Sequence, residues 1–213
     1  MNCDKHAMRL YAVTDRMWLN GRPLSDDVEA ALKGGVSMVQ LREKDLDHNA
    51  FLAEAAAIGA LCRQYKVPFI INDNVEIALA VGADGVHVGQ SDMRVREVRR
   101  RVGDAMIIGV SAQTAAQAQE AEAGGADYLG VGAMFTTSTK KDARPVARET
   151  LRAICGAVRI PVCAIGGIGK DNILQLAGTG VDGVALVSAI FAAPDITAAC
   201  RELGALSDRM VTL

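Results

Sequence analysis

The hydrophobic pattern of the chain predicts eight β-strands, each followed by a helix. Short aliphatic runs are predicted as strands at residues 10–14, 36–41, 68–72, 85–89, 106–111, 128–134, 161–167 and 183–188. Helical patterns follow at 25–34, 48–65, 74–81, 93–102, 114–123, 149–156, 171–177 and 195–206. Continuous aliphatic character is typical of strands that are buried on both faces, as parallel strands under helices are.

A weak internal repeat supports this count. The tripeptide Gly-Ala-Asp or Gly-Val-Asp precedes three of the predicted strands, at 82–84, 125–127 and 180–182. Glycine suits the end of a helix and aspartate suits the turn into a strand. We therefore predict an α/β protein with a single TIM-barrel domain over residues 1–213, of (β/α)8 type, with residues 1–7 as a short N-terminal tail. The main structural alternative is an open doubly wound sheet, but no G-x-G-x-x-G follows the first strand.

Composition narrows the class of function. A formal net charge of −2 over 213 residues argues against a general nucleic-acid binder. The five cysteines are scattered without a C-x-x-C pair, so we expect neither a disulfide framework nor a zinc site, and we expect a cytoplasmic location. The longest apolar stretch is too short to span a bilayer, so we expect no membrane partner.

Polar residues cluster where the predicted strands end, which is where the active site of such a barrel lies. In the run Gln40-Leu41-Arg42-Glu43-Lys44, strand alternation places Gln40, Arg42 and Lys44 on one face, with Leu41 and Glu43 on the other. An amide and two cations on one face can hold a polyanion. A solvated strand exit is the alternative interpretation.

Two carboxylates, Asp73 and Asp92, follow neighbouring predicted strands. Together with phosphate oxygens and water they would suit Mg²⁺, and the basic residues predicted nearby favour a metal-bridged diphosphate. The alternative is helix capping, because Glu76 stands at capping-box spacing from Asp73 and Asp92 precedes a helical pattern.

The last strands offer candidate phosphate groups. The segment Thr137-Ser138-Thr139-Lys140 combines hydroxyls with a cation, although an ordinary polar loop would look the same. Gly167, Val187 and Ser188 occupy the place of the frequent phosphate site of these barrels, and Ser188 could instead be only an N-cap. We interpret His87, within the fourth strand, as a packed residue rather than a general base.

These segments, in this order, resemble the thiamine-phosphate synthase family. The resemblance runs from Tyr11 to Ile190, and its most specific parts are residues 40–44, 72–73, 87–92, 109–111, 137–141 and 164–168. The chain departs from the family pattern at 132–136, where both of the usual prolines are missing, and greater mobility of that loop is expected from this.

The resemblance implies a TIM barrel that condenses a hydroxymethylpyrimidine diphosphate with a thiazole phosphate, releases diphosphate and uses Mg²⁺. It implies pyrimidine diphosphate binding by Gln40, Leu41, Arg42, Glu43, Lys44, Asn72, Ser111 and Lys140. It implies metal binding by Asp73 and Asp92, and thiazole phosphate binding by Thr137, Ser138, Thr139, Gly167, Val187 and Ser188. Arg42, Lys44 and Lys140 would stabilise the leaving diphosphate, while Glu43 should be dispensable for the chemistry.

Two other functions remain open at this point. A thiazole tautomerase-like isomerase would use the same barrel but would not need the diphosphate and metal residues. A non-catalytic phosphometabolite-binding regulator would show loss of the metal ligands or an added interaction segment, and neither is visible in the sequence. A homo-oligomer is possible, and the form of the thiazole substrate, aromatic or carboxylated, stays open.

Overall fold

The computed structural model describes residues 3–19, 21–137 and 145–213, and it contains a closed barrel of eight parallel strands in chain order. The strands are β1 Leu10–Val13, β2 Met38–Leu41, β3 Phe69–Asn72, β4 Gly85–Val88, β5 Ile107–Ala112, β6 Tyr128–Val131, β7 Val162–Ile165 and β8 Gly183–Leu186. Strand β8 pairs with β1, so that Leu10 lies opposite Val184 and the sheet has no free edge. The predicted (β/α)8 TIM barrel is confirmed.

Helices surround the barrel, as predicted. They are α1 Leu24–Lys33, α2 His48–Tyr65, α3 Val75–Val81, α4 Val95–Val102, α5 Ala115–Ala123, α6 Arg148–Ala157, α7 Ser188–Phe191 and α8 Ile196–Thr212. The 3-10 helices are Lys5–Met8, Arg16–Trp18 and Ile173–Leu176. Within the described residues, no helix combines the length and the apolar character that crossing a membrane requires.

Several predictions of local structure were wrong. The strands predicted at 128–134 and 161–167 end earlier, at Val131 and Ile165. The helix expected at 171–177 is a single 3-10 turn, because it is confined between a loop closed by Asn172, whose Oδ1 accepts from the Gly169 amide at 2.9 Å, and Gly178 in a left-handed conformation. The eighth strand ends at Leu186 rather than at 188, since Val187 leaves the extended conformation and Ser188 begins α7.

The internal repeat has a structural role. Each repeat aspartate accepts a hydrogen bond from a backbone amide at the start of the preceding strand. Asp84 accepts from Phe69 at 2.8 Å, Asp127 from Ile108 at 2.8 Å and Asp182 from Val162 at 2.9 Å. The repeat therefore joins the beginnings of neighbouring strands, where parallel pairing leaves backbone donors unused.

The inside of the barrel is closed at its N-terminal end by the segment that the sequence analysis treats as a tail. Cys3 and Met8 are buried and belong to the interior cluster that contains Tyr11, Tyr128 and Cys163. At β8 a side chain on Gly183 would meet the Met8 carbonyl, so backbone from this segment passes directly beneath the strand. The barrel's accessible interior therefore lies toward the C-terminal strand ends.

Candidate active site

A cavity of about 660 Å³ occupies the C-terminal end of the barrel. This size lies within the usual range of small-molecule sites, roughly 300–1,000 Å³. Most of the residues predicted from the sequence line it: Gln40, Arg42, Lys44, Asn72, Asp73, Asp92, Ser111, Thr137, Gly167, Val187 and Ser188. Ser138, Thr139 and Lys140 lie outside the described residues.

Leu41 and Glu43, which the resemblance implies as pyrimidine diphosphate ligands, do not line this cavity, as strand alternation predicts. Leu41 is fully buried in the cluster between the strands and the helices. The Glu43 side chain is only 2% exposed and accepts from Arg16 Nε at 2.8 Å, while Arg16 Nη2 also contacts Glu54 at 2.5 Å. Burial, followed by the nearby Glu54 carboxyl, raises the pKa of Glu43 to about 7. Glu43 is thus a buried support behind Arg42 and Lys44, and its side chain does not face the cavity.

The two cations that follow β2, Arg42 and Lys44, are each held by a carboxylate from a neighbouring strand end. Arg42 Nη1 lies 2.8 Å from Asp15 Oδ2, after β1, and Lys44 Nζ lies 2.5 Å from Asp73 Oδ2, after β3. Asp15 also accepts from the Met17 amide through its other oxygen, so its orientation is fixed. Arg42 and Lys44 are therefore ion-paired where they line the cavity, and their role as diphosphate ligands stays a prediction.

Asp73 and Asp92 do not cap the helices that follow them. The N-cap of α3 is Asn74, whose side chain accepts from Ile77, and the N-cap of α4 is Arg94. Asp73 has a left-handed backbone (φ +61°), which is uncommon for a residue other than glycine. Asp92 Oδ2 accepts from the Gly89 amide at 2.8 Å within its own loop. The capping interpretation is wrong for both residues, which leaves their carboxylates at the cavity.

The two carboxylates influence each other. Partial burial raises the pKa of Asp92, the Gly89 amide lowers it, the Asp73 carboxyl raises it further, and Lys44 lowers it. Such a pair of like charges favours a divalent cation between them. Among the described residues no group of three or more His, Cys, Asp and Glu side chains could hold a metal ion. Asp73 and Asp92 could therefore hold a cation only together with ligand oxygens or water, which is how Mg²⁺ commonly binds.

The opposite side of the cavity is uncharged in the described residues. Thr137, Gly167, Val187 and Ser188 line it. Gly167 has φ +65°, and a side chain there would lie 2.4 Å from the Thr136 carbonyl, so the glycine allows the segment after β6 to approach β7 closely. That segment is also fixed by backbone hydrogen bonds, from Met134 to Ile165 at 3.0 Å and from Phe135 to Gly166 at 2.9 Å.

The first residues of the loop that lacks the two prolines are therefore hydrogen-bonded to β7 and its following glycine. Residues 138–144 lie outside the described part, and the expected greater mobility of the loop stays a prediction. Ser188 is the first residue of α7, whose N-cap is Val187 without a side-chain hydrogen bond. The alternative role of Ser188 as an N-cap is therefore wrong.

The deepest part of the cavity is a hydrogen-bonded group that the sequence analysis missed. Gln40 Nε2 donates to the Tyr11 hydroxyl at 2.6 Å, and that hydroxyl lies 2.7 Å from the Tyr128 hydroxyl. His87 contacts Tyr128 and, through Nε2, Ser111 Oγ at 2.9 Å. Tyr11 and Tyr128 lie within aliphatic strand runs, so the sequence pattern marks them as core. The interpretation of His87 as a packed residue agrees with its burial.

Comparisons with known proteins agree with one another. The family model described as thiamine monophosphate synthase matches residues 10–190. A thiamine-phosphate synthase from Clostridium tetani is 48% identical over 194 residues, 91% of this chain and 93% of that protein. Another, from Ruminiclostridium cellulolyticum, is 49% identical over 91% of this chain and 92% of its own. The solved structure of a thiamine phosphate pyrophosphorylase from Pyrococcus furiosus superposes with a TM-score of 0.89 at 39% identity, covering 97% of this chain and 98% of that one.

Proposed function

The chain belongs to the thiamine monophosphate synthase family and is a transferase, and on this premise we propose that it joins two phosphorylated rings. One substrate is 4-amino-2-methyl-5-(diphosphooxymethyl)pyrimidine and the other is a thiazole phosphate. The products are thiamine phosphate and diphosphate.

The reaction divides into a bond-breaking and a bond-forming step. The bond between the pyrimidine methylene carbon and the diphosphate oxygen breaks, and its electron pair leaves with the diphosphate. The ring amino group stabilises the resulting cation by resonance, and the thiazole nitrogen then donates its lone pair to form the new C–N bond. Neither step requires proton transfer, which fits a cavity whose charged groups are cations and carboxylates rather than an exposed acid–base pair.

Arg42 and Lys44 are the described cations suited to the developing negative charge on the leaving diphosphate. Both are anchored before substrate arrives, Arg42 by Asp15 and Lys44 by Asp73. Pre-oriented charges stabilise a transition state without the cost of reorganisation, and removal of one such group typically lowers turnover by roughly 10²–10³-fold. Lys140, outside the described residues, is proposed as a third cation, and Asn72 and Ser111 as uncharged donors.

Asp73 and Asp92 would hold Mg²⁺ together with diphosphate oxygens and water. When bound, the ion would supply positive charge that neutralises the diphosphate. The pKa of Asp92, raised by partial burial and by Asp73, supports this assignment, because a cation would relieve that repulsion. Thr137, Gly167, Val187 and Ser188, with Ser138 and Thr139 of the undescribed segment, would bind the thiazole phosphate.

The observation that carries the proposal is the contact between Lys44 and Asp73 beside Asp92 at the same cavity. It brings a cation and a carboxylate pair to one place, as recognition of a metal-bound diphosphate needs. The cavity also has a separate, uncharged side at Gly167 and Ser188, which offers a second ring phosphate a place of its own. We further propose a cytoplasmic location, which the free cysteines support.

The test is to incubate the purified protein with both phosphorylated rings and Mg²⁺ and to measure diphosphate and thiamine phosphate. We expect equimolar products only when both rings are present. Isomerisation of a thiazole phosphate without the pyrimidine would indicate the tautomerase-like function instead. Binding of either ring without turnover would indicate a regulator.

A further inference from the structure

Five polar side chains from five strands form one continuous hydrogen-bond network through the barrel interior, which we call the interior network. Gln40 on β2 contacts Tyr11 on β1 at 2.6 Å, and Tyr11 contacts Tyr128 on β6 at 2.7 Å. Tyr128 contacts His87 Nδ1 on β4 at 2.9 Å, and His87 Nε2 contacts Ser111 on β5 at 2.9 Å. The first and last residues line the cavity at two different places.

Two glycines provide the space for the interior network. Gly109 of β5 pairs with both His87 of β4 and Tyr128 of β6, so the two rings meet across it. A Cβ atom at Gly109 would lie 2.1 Å from Tyr128 Cζ and 2.5 Å from His87 Nδ1. A Cβ atom at Gly130 would lie 3.2 Å from His87 Cε1. The side chains of the interior network therefore occupy space that a side chain at Gly109 or Gly130 would fill.

Each residue of the interior network donates to the next one, in the direction from Gln40 to Ser111. Burial raises the pKa of the Tyr11 and Tyr128 hydroxyls above their ordinary value, so both stay protonated near neutral pH. Because Tyr11 accepts from Gln40, its own proton goes to Tyr128, and the Tyr128 proton goes to His87 Nδ1. A neutral His87 then carries its proton on Nε2 and donates to Ser111. The Ser111 proton is left for another acceptor.

We propose that Tyr11, Tyr128 and His87 are positioning residues that hold the Gln40 amide in one orientation and thereby select an aminopyrimidine over an oxopyrimidine. The inference rests on the proposed function for the identity of the ring. One N–H of Gln40 is committed to Tyr11, which leaves its oxygen and its second N–H for a ligand. That pair matches an exocyclic amino group beside a ring nitrogen, the pattern that glutamine also recognises in adenine.

An oxopyrimidine presents the opposite pattern, a carbonyl beside a ring N–H. It would need a Gln40 amide turned by 180°, which would place the amide oxygen against the Tyr11 oxygen. Donor and acceptor would then have to exchange in every hydrogen bond of the interior network. A site whose buried donors and acceptors are fixed rejects the mismatched ligand because polar groups are left unpaired.

The test measures equilibrium binding of the 4-amino pyrimidine diphosphate and of its 4-oxo analogue by calorimetry, without the thiazole. Tyr128→Phe and Tyr11→Phe each remove one hydroxyl and keep the ring. Ile70→Val is the control, because Ile70 is buried in the same interior cluster but its side chain is not part of the interior network. We expect the wild type and Ile70→Val to prefer the amino ring by about 100-fold or more.

In both phenylalanine variants we expect the preference to fall by about tenfold or more, chiefly because the oxo analogue binds better once Gln40 can turn. A merely structural role would weaken both ligands equally, and an unchanged preference ratio in both variants would overturn the proposal. So would a wild type that does not discriminate or that binds neither ring. Since no turnover is needed, a selective protein that makes no thiamine phosphate would contradict the proposed function alone.

A measurement on the unmodified protein guards against variants that do not fold. The ¹⁵N NMR shifts of the His87 ring distinguish a proton on Nε2 from one on Nδ1. We expect the Nε2–H form. The Nδ1–H form would mean that the donors run from His87 toward Gln40, and would overturn the assignment.

Discussion

Lys44 and Asp73 form an ion pair between the ends of two adjacent strands, with Nζ 2.5 Å from Oδ2. The carboxylate holds the ammonium in place at the cavity, although the Lys44 side chain is about half exposed (49%). An arriving diphosphate would therefore exchange one anionic partner of Lys44 for another, and the cation would already be near its place. Several consequences of this arrangement can be measured.

Replacing Lys44 by alanine should lower turnover by about 100-fold or more, since a pre-oriented cation near the leaving group is lost. Lys33→Ala is the matched control. Lys33 is also a half-exposed lysine in an ion pair, with Glu29 at 3.0 Å, but it lies on α1 away from the cavity. Steady-state kinetics of both variants decides the matter, and equal rates in the two would contradict the role of Lys44.

Arg42→Ala should lower turnover by a similar factor, roughly 10²-fold or more, while the fold survives. Arg42→Lys should recover only part of the loss, because a lysine cannot present the planar set of donors that holds both Asp15 and a phosphate. Thermal denaturation and kinetics on the same preparations separate the two effects. Near-wild-type rates in Arg42→Ala would be incompatible with the proposed site. Lys140→Ala is expected to behave like Arg42→Ala.

Removal of the metal should abolish turnover, and Asp92→Asn should raise the Mg²⁺ concentration needed for half-maximal rate by about tenfold or more. The control is Asp45→Asn, which removes an exposed carboxylate that does not line the cavity. The measurement is turnover against Mg²⁺ concentration after treatment with a chelator. A wild-type rate that persists in the chelator would exclude a metal requirement.

Glu43 should make stability depend on pH. Its pKa rises from 4.5 to about 7 in the folded state because the carboxyl is buried and lies beside Glu54. The folded protein thus keeps a proton that the unfolded chain releases near 4.5, so stability falls as pH rises from about 5 to 7. Glu43→Gln has no such titration. The difference in Tm between the two proteins should shift in favour of Glu43→Gln between pH 5 and 8, and parallel Tm curves would show that Glu43 does not titrate there.

Gly109→Ala should destabilise the fold by about 1–3 kcal/mol or more, because the new methyl group would overlap the Tyr128 ring. The Cβ would lie 2.1 Å from Tyr128 Cζ. Gly156→Ala, on α6, places its methyl group where nothing lies within 4 Å, and should stabilise by about 0.5–1 kcal/mol. Urea denaturation of the two variants gives the comparison, and opposite signs are expected.

The barrel could be predicted from the sequence because its strands are continuous aliphatic runs and three of them are preceded by Gly-Ala-Asp or Gly-Val-Asp. The ligand face of residues 40–44 was equally predictable, since alternation alone separates Arg42 from Glu43. The interior network could not be predicted from the sequence. Tyr11 and Tyr128 are 117 residues apart, and only closure of the barrel brings their hydroxyls together. The role of Asp15 was hidden for the same reason, because its partner Arg42 follows the next strand, 27 residues along the chain.

Among the described residues, Cys3 and Met8 close the N-terminal end of the barrel, and the cavity opens at the C-terminal strand ends. Gln40 is a buried residue of β2, whereas Ser188 lies beyond the end of β8, so a ligand against Gln40 lies deeper in the cavity than one against Ser188. If the pyrimidine binds against Gln40 and the thiazole phosphate against Ser188, we expect the pyrimidine to bind first. This order of binding would need no conformational change.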